Sequence, residues 1–113
     1  MEVQEYLPLT ETSFFIILSL AIAPKHGYAI IKEVEAMSEK RVALATGTLY
    51  SALRRMLEDG WIERVTDHNS EVDNRERKIY QLTKHGRRVL EAEIGRFRKL
   101  VNLTKLHDVR EGR

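Results

Sequence analysis

The order of apolar and polar positions predicts a strongly apolar first helix. Thr10 or Thr12 can supply its N-cap, and it should end before Pro24, because the residue preceding a proline disfavours the α region. Its run FFIILSLAIA, residues 14–23, is apolar on nearly every side, which predicts contact with several neighbours. The run is about half the ~20 residues that a membrane-spanning helix needs. We therefore interpret it as a buried core helix, and we expect no membrane association.

Two amphipathic helices are predicted next. A turn PKHG at residues 24–27 leads into a second helix, YAIIKEVEAMS, whose apolar positions recur at helical spacing. The third helix begins with Thr46 or Thr48 as its N-cap and ends at Gly60. Its apolar side packs on the core and its polar side stays exposed. The apolar side holds Leu49, Ala52, Leu53, Met56 and Leu57, and the polar side holds Ser51, Arg54, Arg55 and Glu58.

A hairpin and a last helix complete the predicted elements. WIERV reads as a strand, the polar run TDHNSEVDN as a loop, and RERKIYQLT as the returning strand. Thr83 can cap the last helix. The apolar residues of that helix follow a 4-3-4 spacing, which is suited to pairing with another helix, although packing back on the same chain is the alternative. This candidate dimerisation seam consists of Leu90, Ile94, Phe97 and Val101, and it is widened near its end by Leu100, Leu103 and Leu106.

The element order predicts a mainly α fold with a small β-hairpin, namely a winged helix-turn-helix followed by a C-terminal dimerisation helix. We assign residues 1–83 to the winged helix-turn-helix and residues 84–113 to the dimerisation helix and tail, together forming one compact unit. A chain of 113 residues is long enough for one core. A three-helix core with an appended hairpin also occurs in protein-interaction modules, so the topology alone does not settle the function.

Charge and cysteine content narrow the setting. The net charge is only +2, but residues 1–40 hold six acidic and three basic residues, whereas residues 41–113 hold eleven acidic and sixteen basic ones. This regional excess supports polyanion binding only if folding gathers the basic groups on one face. The absence of cysteine excludes disulfides, cysteine-based metal sites and thiol nucleophiles. We expect a cytoplasmic protein.

The segments HGYAIIKEVE, TGTLYSALRRMLEDGWIER and RKIYQLTKHGRRVL together resemble the PadR family of prokaryotic transcription regulators. The resemblance covers about residues 12–92 in the right order, followed by the short terminal helix of the family's small subfamily. It implies a homodimer whose third helices enter successive major grooves of double-stranded DNA at a pseudo-palindromic operator. It also implies wings beside the phosphate backbone, terminal helices at the dimer interface, and repression that a small molecule relieves.

The candidate DNA contacts lie on the second and third helices and beside the wing. Arginine either bonds guanine edges bidentately or pairs with phosphates, and only the first reports base sequence. Tyr50 lies at the edge of the apolar side, so its hydroxyl can reach a phosphate while its ring packs inward. Tyr28 is either a backbone contact or a core residue. The full set is Tyr28, Lys32, Thr48, Tyr50, Ser51, Arg54, Arg55, Arg75, Arg77 and Lys78.

The remaining side chains bear on whether the protein binds a small molecule or has a catalytic or metal site. Phe14, Phe15 and Phe97 are candidates for lining a pocket for a small aromatic or apolar effector, and plain core is the alternative. The histidines are dispersed, and neither a glycine-rich phosphate loop nor a paired-carboxylate signature is visible, so we expect no catalytic site, no metal and no cofactor. Two alternatives remain: a winged-helix protein-interaction module without specific DNA binding, and a protein that sequesters a small molecule with incidental DNA affinity.

Overall fold

The computed structural model describes residues 3–67 and 77–107. Within these residues a short 3₁₀ turn is followed by helices and short strands in the predicted order, with one additional strand before the second helix. The 3₁₀ turn is Val3–Tyr6, and the elements after it are α1 (Glu11–Ile22), β1 (Lys25–His26), α2 (Gly27–Met37), α3 (Thr46–Glu58), β2 (Ile62–Asp67), β3 (Arg77–Leu82) and α4 (Lys84–Leu106).

Hydroxyl caps begin two of the helices as predicted. The Thr10 hydroxyl accepts a hydrogen bond from the Ser13 amide at 3.0 Å, and the Thr83 hydroxyl accepts one from the Gly86 amide at 3.0 Å. The predicted cap of α3 is wrong. Its N-cap is Ala45, whose methyl group cannot accept a hydrogen bond, and the helix begins at the next residue. The first-turn amides of α3 therefore have no side-chain acceptor of the usual kind.

The sheet has three strands where the sequence predicted two. The segment that was expected to be only a turn contains β1, which pairs antiparallel with β3, so that Lys25 faces Tyr80 and His26 faces Ile79. The strand order is β1-β3-β2. A two-residue strand has no periodicity of its own, and its pairing depends on residues more than 50 positions away. The hairpin of β2 and β3 is confirmed.

Lys25 connects α1, α2 and the sheet. Its ammonium group donates hydrogen bonds to the carbonyl oxygens of Ala23, at 2.9 Å, and Ser19, and it forms an ion pair with Glu33 at 2.8 Å. A cation at the C-terminal end of a helix bonds the carbonyls that lack intrahelical partners. Lys25 is therefore occupied within the fold.

The core lies around α1, as its apolarity predicted. Every other helix and the sheet contribute side chains to it, so α1 is covered on several sides. No helix of the described residues is both long and apolar enough to cross a bilayer. The buried apolar residues are Ile16, Ile17, Leu20, Ile30, Val34, Leu44, Leu49, Leu53, Met56, Trp61, Ile62, Tyr80, Val89 and Leu90.

The apolar side of α4 has two different environments. Leu90 is 4% exposed and packs inside its own chain, which corrects its assignment to an exposed seam. Ile94 is half-buried against the same core. Beyond this point α4 extends past the core, and Val101 is 50% exposed. A helix of 23 residues is roughly 34 Å long, and this extension contributes to the elongated shape of 61 × 34 × 22 Å.

A buried carboxylate fixes the segment before α1 to α4. Glu93 is 0% exposed, and its carboxylate accepts hydrogen bonds from the Leu9 amide at 2.8 Å and from the Arg96 guanidinium at 2.5 and 3.1 Å. The hydrogen bond from Arg96 is the largest cause that lowers the pKa of Glu93, and the Leu9 amide adds to it against the opposing effect of burial. The charged form is therefore the one that the fold stabilises.

Replacement of this carboxylate should give a pH-dependent loss of stability. Because the folded-state pKa of Glu93 lies below its ordinary value of 4.5, its contribution is complete above that value and is lost as the pH falls through the folded pKa. Glu93→Gln should lower the free energy of unfolding by about 1–3 kcal/mol at pH 7, and the difference from wild type should shrink below pH 4.5.

Urea denaturation between pH 7 and pH 3 measures this difference. Glu91→Gln removes an exposed carboxylate two residues away on the same helix and should leave stability nearly unchanged. A deficit in Glu93→Gln that stays constant with pH would contradict the assignment.

Candidate nucleic-acid interface

The exposed side of α3 is polar and basic. Leu49, Leu53 and Met56 bury the opposite side, and so the side chains at 180° from them point into solvent. Arg54 and Arg55 are both exposed, and within the described residues no carboxylate forms an ion pair with either. Their guanidinium groups are consequently available to a ligand. Thr48 and Ser51 are exposed on the same side.

A groove separates α3 from the N-terminal end of α1. Its volume is about 630 Å³, and its lining includes the guanidinium-bearing Arg55 and hydroxyl-bearing residues of both helices. Thr12 and Ser13 contribute from α1 and were absent from the sequence-based candidates. No sequence signal could find them, because they lie more than 30 positions before α3. Hydroxyl donors beside a cation suit a phosphate oxygen, which adds these two residues to the candidate interface.

Tyr50 occupies the opposite flank of α3, against the first turn of α2. A Cβ built on Gly27 would lie 2.6 Å from the Tyr50 hydroxyl oxygen and 3.1 Å from its Cζ, so a larger residue at this position would displace the Tyr50 side chain. The side chain is nevertheless 44% exposed. The hydroxyl end of the ring therefore lies against the first turn of α2 while part of the side chain remains at the surface, and contact of Tyr50 with a phosphate stays a prediction.

Tyr28 and Lys32 form an exposed pair on α2. Tyr28 is 68% exposed, so the alternative that it belongs to the core is wrong. The Lys32 ammonium lies 5.3 Å from the centroid of the Tyr28 ring, within the range of a cation–π interaction. The pair therefore presents a cation and a phenol to solvent one helix away from α3.

The described part of the wing adds one predicted and one unpredicted basic residue. Lys78 is exposed on β3. The side chain of Arg77 and the whole of Arg75 lie outside the described residues. Arg64 was not among the sequence-based candidates, but it is exposed on β2 directly opposite Tyr80. The alternation of residues along the strand could have identified Arg64 as exposed. Only the pairing register of β2 with β3 places it beside Tyr80.

Electrostatic effects at Tyr80 connect the wing to α3. Burial raises the pKa of Tyr80, the neighbouring Tyr50 raises it further, and Arg64 acts in the opposite direction. These interactions place Arg64, Tyr80 and Tyr50 in one neighbourhood. The exposed Arg64 of β2 consequently lies near the flank of α3 that carries Tyr50.

The three predicted pocket phenylalanines form one aromatic cluster between α1 and α4. The ring centroids of Phe14 and Phe97 are 5.1 Å apart, those of Phe14 and Phe15 are 6.2 Å apart, and both pairs are edge-to-face. All three side chains are half-buried. The guanidinium of Arg96 lies 5.1 Å from the Phe97 ring centroid. The cluster is therefore partly open to solvent and bordered by a cation.

A helix-turn-helix with a basic exposed third helix, followed by an antiparallel hairpin, defines a winged-helix protein. Residues 16–92 match the model of the "Transcriptional regulator PadR-like family", and since this is more than half of the chain, the chain belongs to that family. The family consists of transcription regulators rather than enzymes. Among the described residues no cluster of metal-ligating side chains is present. No curated protein matches the chain.

Solved structures show the same fold. A PadR family transcription regulator from Clostridium difficile R20291 superposes with a TM-score of 0.71 at 24% identity, over 87% of this chain and 98% of the other. A PadR-like transcription factor from Bacteroides fragilis gives 0.65 at 28% identity, over 86% and 88%. Bacillus subtilis PadR in complex with operator DNA gives 0.66 at 21% identity, over 77% of this chain and 48% of that one.

The contact between Gly27 and Tyr50 can be tested by a double-mutant cycle. In Gly27→Ala the new Cβ collides with the Tyr50 hydroxyl, so the substitution should cost about 1–3 kcal/mol of unfolding free energy. In a Tyr50→Phe background the closest oxygen is gone, and the cost should fall by about 0.5–2 kcal/mol.

Chemical denaturation of the four proteins measures the coupling. Gly47→Ala is the control, because a Cβ there meets nothing within 4 Å and should leave stability equal or slightly higher. Additive effects of the two substitutions would show that Tyr50 does not pack over Gly27.

Proposed function

We propose that this PadR-like regulator binds double-stranded DNA sequence-specifically as a homodimeric cytoplasmic repressor. The observation that carries the proposal is the exposed basic side of α3, where Arg54 and Arg55 have no acidic partner among the described residues. The relative from Bacillus subtilis was solved with operator DNA, which supports the same partner for this chain.

The geometry suits insertion of α3 into the major groove. In helix-turn-helix docking the second helix of the motif lies in the groove while the first crosses the phosphate backbone. Here α3 takes the first role, with Ser51 and Arg54 at the centre of its exposed side. α2 takes the second role and brings Tyr28 and Lys32 to the backbone on the flank where Tyr50 lies. Phosphate contacts of this kind fix the register, and the contacts from α3 read the bases.

Loss of one arginine should separate base reading from general affinity. Arg54→Ala should weaken binding to duplexes selected by the wild-type chain by about 1–3 kcal/mol if the arginine bonds a guanine bidentately, and affinity for random duplex should change less. If Arg54 instead pairs with a phosphate, both affinities should fall and the slope of log K against log salt should drop by about one.

Fluorescence anisotropy at several salt concentrations distinguishes these outcomes. Arg98→Ala is the control: it removes an exposed arginine of α4, away from the exposed basic side of α3, and should change neither affinity. Absence of duplex binding by the wild-type chain even at low salt would overturn the proposal and favour a protein-interaction module.

The exposed end of α4 supports self-association. Leu100, Val101, Leu103 and Leu106 are 48–77% exposed and follow Phe97 along the helix. Apolar patches of this kind mark interaction surfaces more often than free surface. We propose that a second copy covers them, which would hold two α3 helices against half-sites about one helical turn, ~34–36 Å, apart.

A charge at the centre of this patch should dissociate the dimer. Leu103→Asp should give monomers by light scattering and a large loss of affinity for the palindromic duplex, because both half-sites can then no longer be bound together. Asn102→Asp is the matched control: it adds the same charge to the adjacent exposed position of the same turn and should leave the dimer intact. A dimer that survives Leu103→Asp would refute the interface.

Release by an effector is the remaining part of the proposed function. The aromatic cluster of Phe14, Phe15 and Phe97 offers a half-buried apolar surface beside the cationic Arg96, which suits a small aromatic or apolar ligand. Its place between α1 and the proposed dimerisation helix lets a ligand change the dimer geometry. By linkage, such a ligand must lower operator affinity by the factor with which the operator lowers ligand affinity. A ligand that binds without this coupling would favour sequestration.

A further inference from the structure

The C-terminal end of α3 and the N-terminal end of α4 are fastened to the same stretch of backbone. Gly60, with φ of 77°, reverses the chain after α3, and the Trp61 amide donates back to the Met56 carbonyl at 2.9 Å. The Trp61 carbonyl in turn accepts from the Thr83 amide at 3.0 Å. The Thr83 hydroxyl donates to the Gly60 carbonyl at 2.5 Å and accepts from the Gly86 amide at 3.0 Å.

Gly86 brings the first turn of α4 into direct contact with this backbone. A Cβ built on Gly86 would lie 2.0 Å from the Trp61 carbonyl oxygen and 2.8 Å from its carbonyl carbon. Both are backbone atoms, so rotation of a side chain could not relieve the collision. Gly95 lies further along the same helix and has nothing within 4 Å of such a Cβ. The two glycines of α4 therefore differ completely in what they permit.

We propose that Gly60, Trp61, Thr83 and Gly86 form a rigid joint that sets the angle between α3 and α4 and thereby selects the spacing of the DNA half-sites. This inference rests on the proposed function, since it assumes that α3 reads DNA and that α4 joins two copies. The joint adjoins both helices: α3 ends at Glu58, two residues before Gly60, and α4 begins at Lys84, directly after Thr83.

Because α4 is long, a small change in its angle at the joint displaces the far end of the helix by several ångströms. The exposed apolar patch begins with Leu100, fourteen residues beyond Gly86, which is about 21 Å along the helix. A tilt of about 10° at the joint would move that point by about 4 Å, close to the ~3.4 Å of duplex axis that one base pair occupies. Small changes at the joint thus correspond to one base pair of half-site separation.

The joint can act on specificity only through geometry. Trp61 and Gly86 are buried, and Thr83 is half-buried with its hydroxyl engaged by two backbone groups. None of them lies on the exposed side of α3 or in the groove beside α1. These are therefore positioning residues, and their replacement should change which operator spacing is accepted rather than which bases are read.

The rigidity of the joint can be measured without DNA. The chain has no native cysteine, so spin labels at Glu58→Cys and Arg98→Cys, both exposed, report the α3–α4 distance within one chain when labelled protein is diluted with unlabelled protein. The distance distribution should be narrow in the parent. Thr83→Val, which removes both hydroxyl hydrogen bonds, should broaden or shift it; Thr83→Ser, which keeps them, and Gly95→Ala should leave it unchanged.

The consequence for DNA is measured on duplexes that carry two wild-type-selected half-sites with one base pair removed, unchanged spacing, or one or two base pairs inserted. The wild-type dimer should prefer its own spacing by about tenfold or more. Thr83→Val should reduce this preference to about threefold or less, with affinity for a single half-site unchanged. Thr83→Ser should keep the wild-type preference. Gly86→Ala should reduce the preference further than Thr83→Val does, provided that its circular dichroism spectrum shows a folded protein.

A label-distance distribution and a spacing preference that are both unchanged in Thr83→Val would overturn the proposal. An equal loss of affinity for single half-sites and for duplexes of every spacing would also overturn it, because that result would indicate damage to α3 itself. A wild-type chain that binds no duplex would overturn the proposed function and the spacing role together. The label distances would still decide whether the joint is rigid, which keeps the two failures distinguishable.

Discussion

The close approach of the Gly86 backbone to the Trp61 carbonyl is the constraint on which the arrangement of the elements depends. A methyl group at Gly86 would lie 2.0 Å from that oxygen, so the first turn of α4 meets the chain directly behind α3 without an intervening side chain. The strand β2 begins at the next residue, and β3 returns to the same point through the amide of Thr83. Helix α3, the wing and α4 are consequently joined at one place, and each restricts the position of the others.

Burial of α1 complements this constraint from the other side of the domain. Because α1 is apolar around most of its circumference, α2, α3, α4 and the sheet all gain by covering it. Lys25 stabilises the C-terminal end of α1 through carbonyl contacts and an ion pair with Glu33, and Glu93 fixes the segment that precedes α1 to α4. With its apolar side committed to this core, α3 can only present its arginines outward.

The candidate interface is assembled from parts that are distant in sequence. Hydroxyls from the start of α1 lie on one flank of α3, and the phenol and ammonium groups of α2 and the exposed Arg64 of β2 lie towards the other, where Tyr50 is. Tyr50 links these parts, since its ring occupies the space beside Gly27 and its proximity raises the pKa of Tyr80. The candidate interface is therefore connected physically to the packing of the domain.

The sequence by itself determined the elements that depend on neighbouring residues: the hydroxyl caps at Thr10 and Thr83, the end of α1 before Pro24, and the two sides of α3. These follow from local hydrogen bonding and from helical periodicity, which a linear pattern records. Tertiary structure alone decided the pairing of β1, the placement of Arg64, and the different fates of Leu90 and Val101. Both residues satisfy the same spacing on α4, but the core ends between them, so that Leu90 is covered by its own chain and Val101 is half exposed. Periodicity specifies which residues share a side of a helix, and only the packed fold specifies what covers that side.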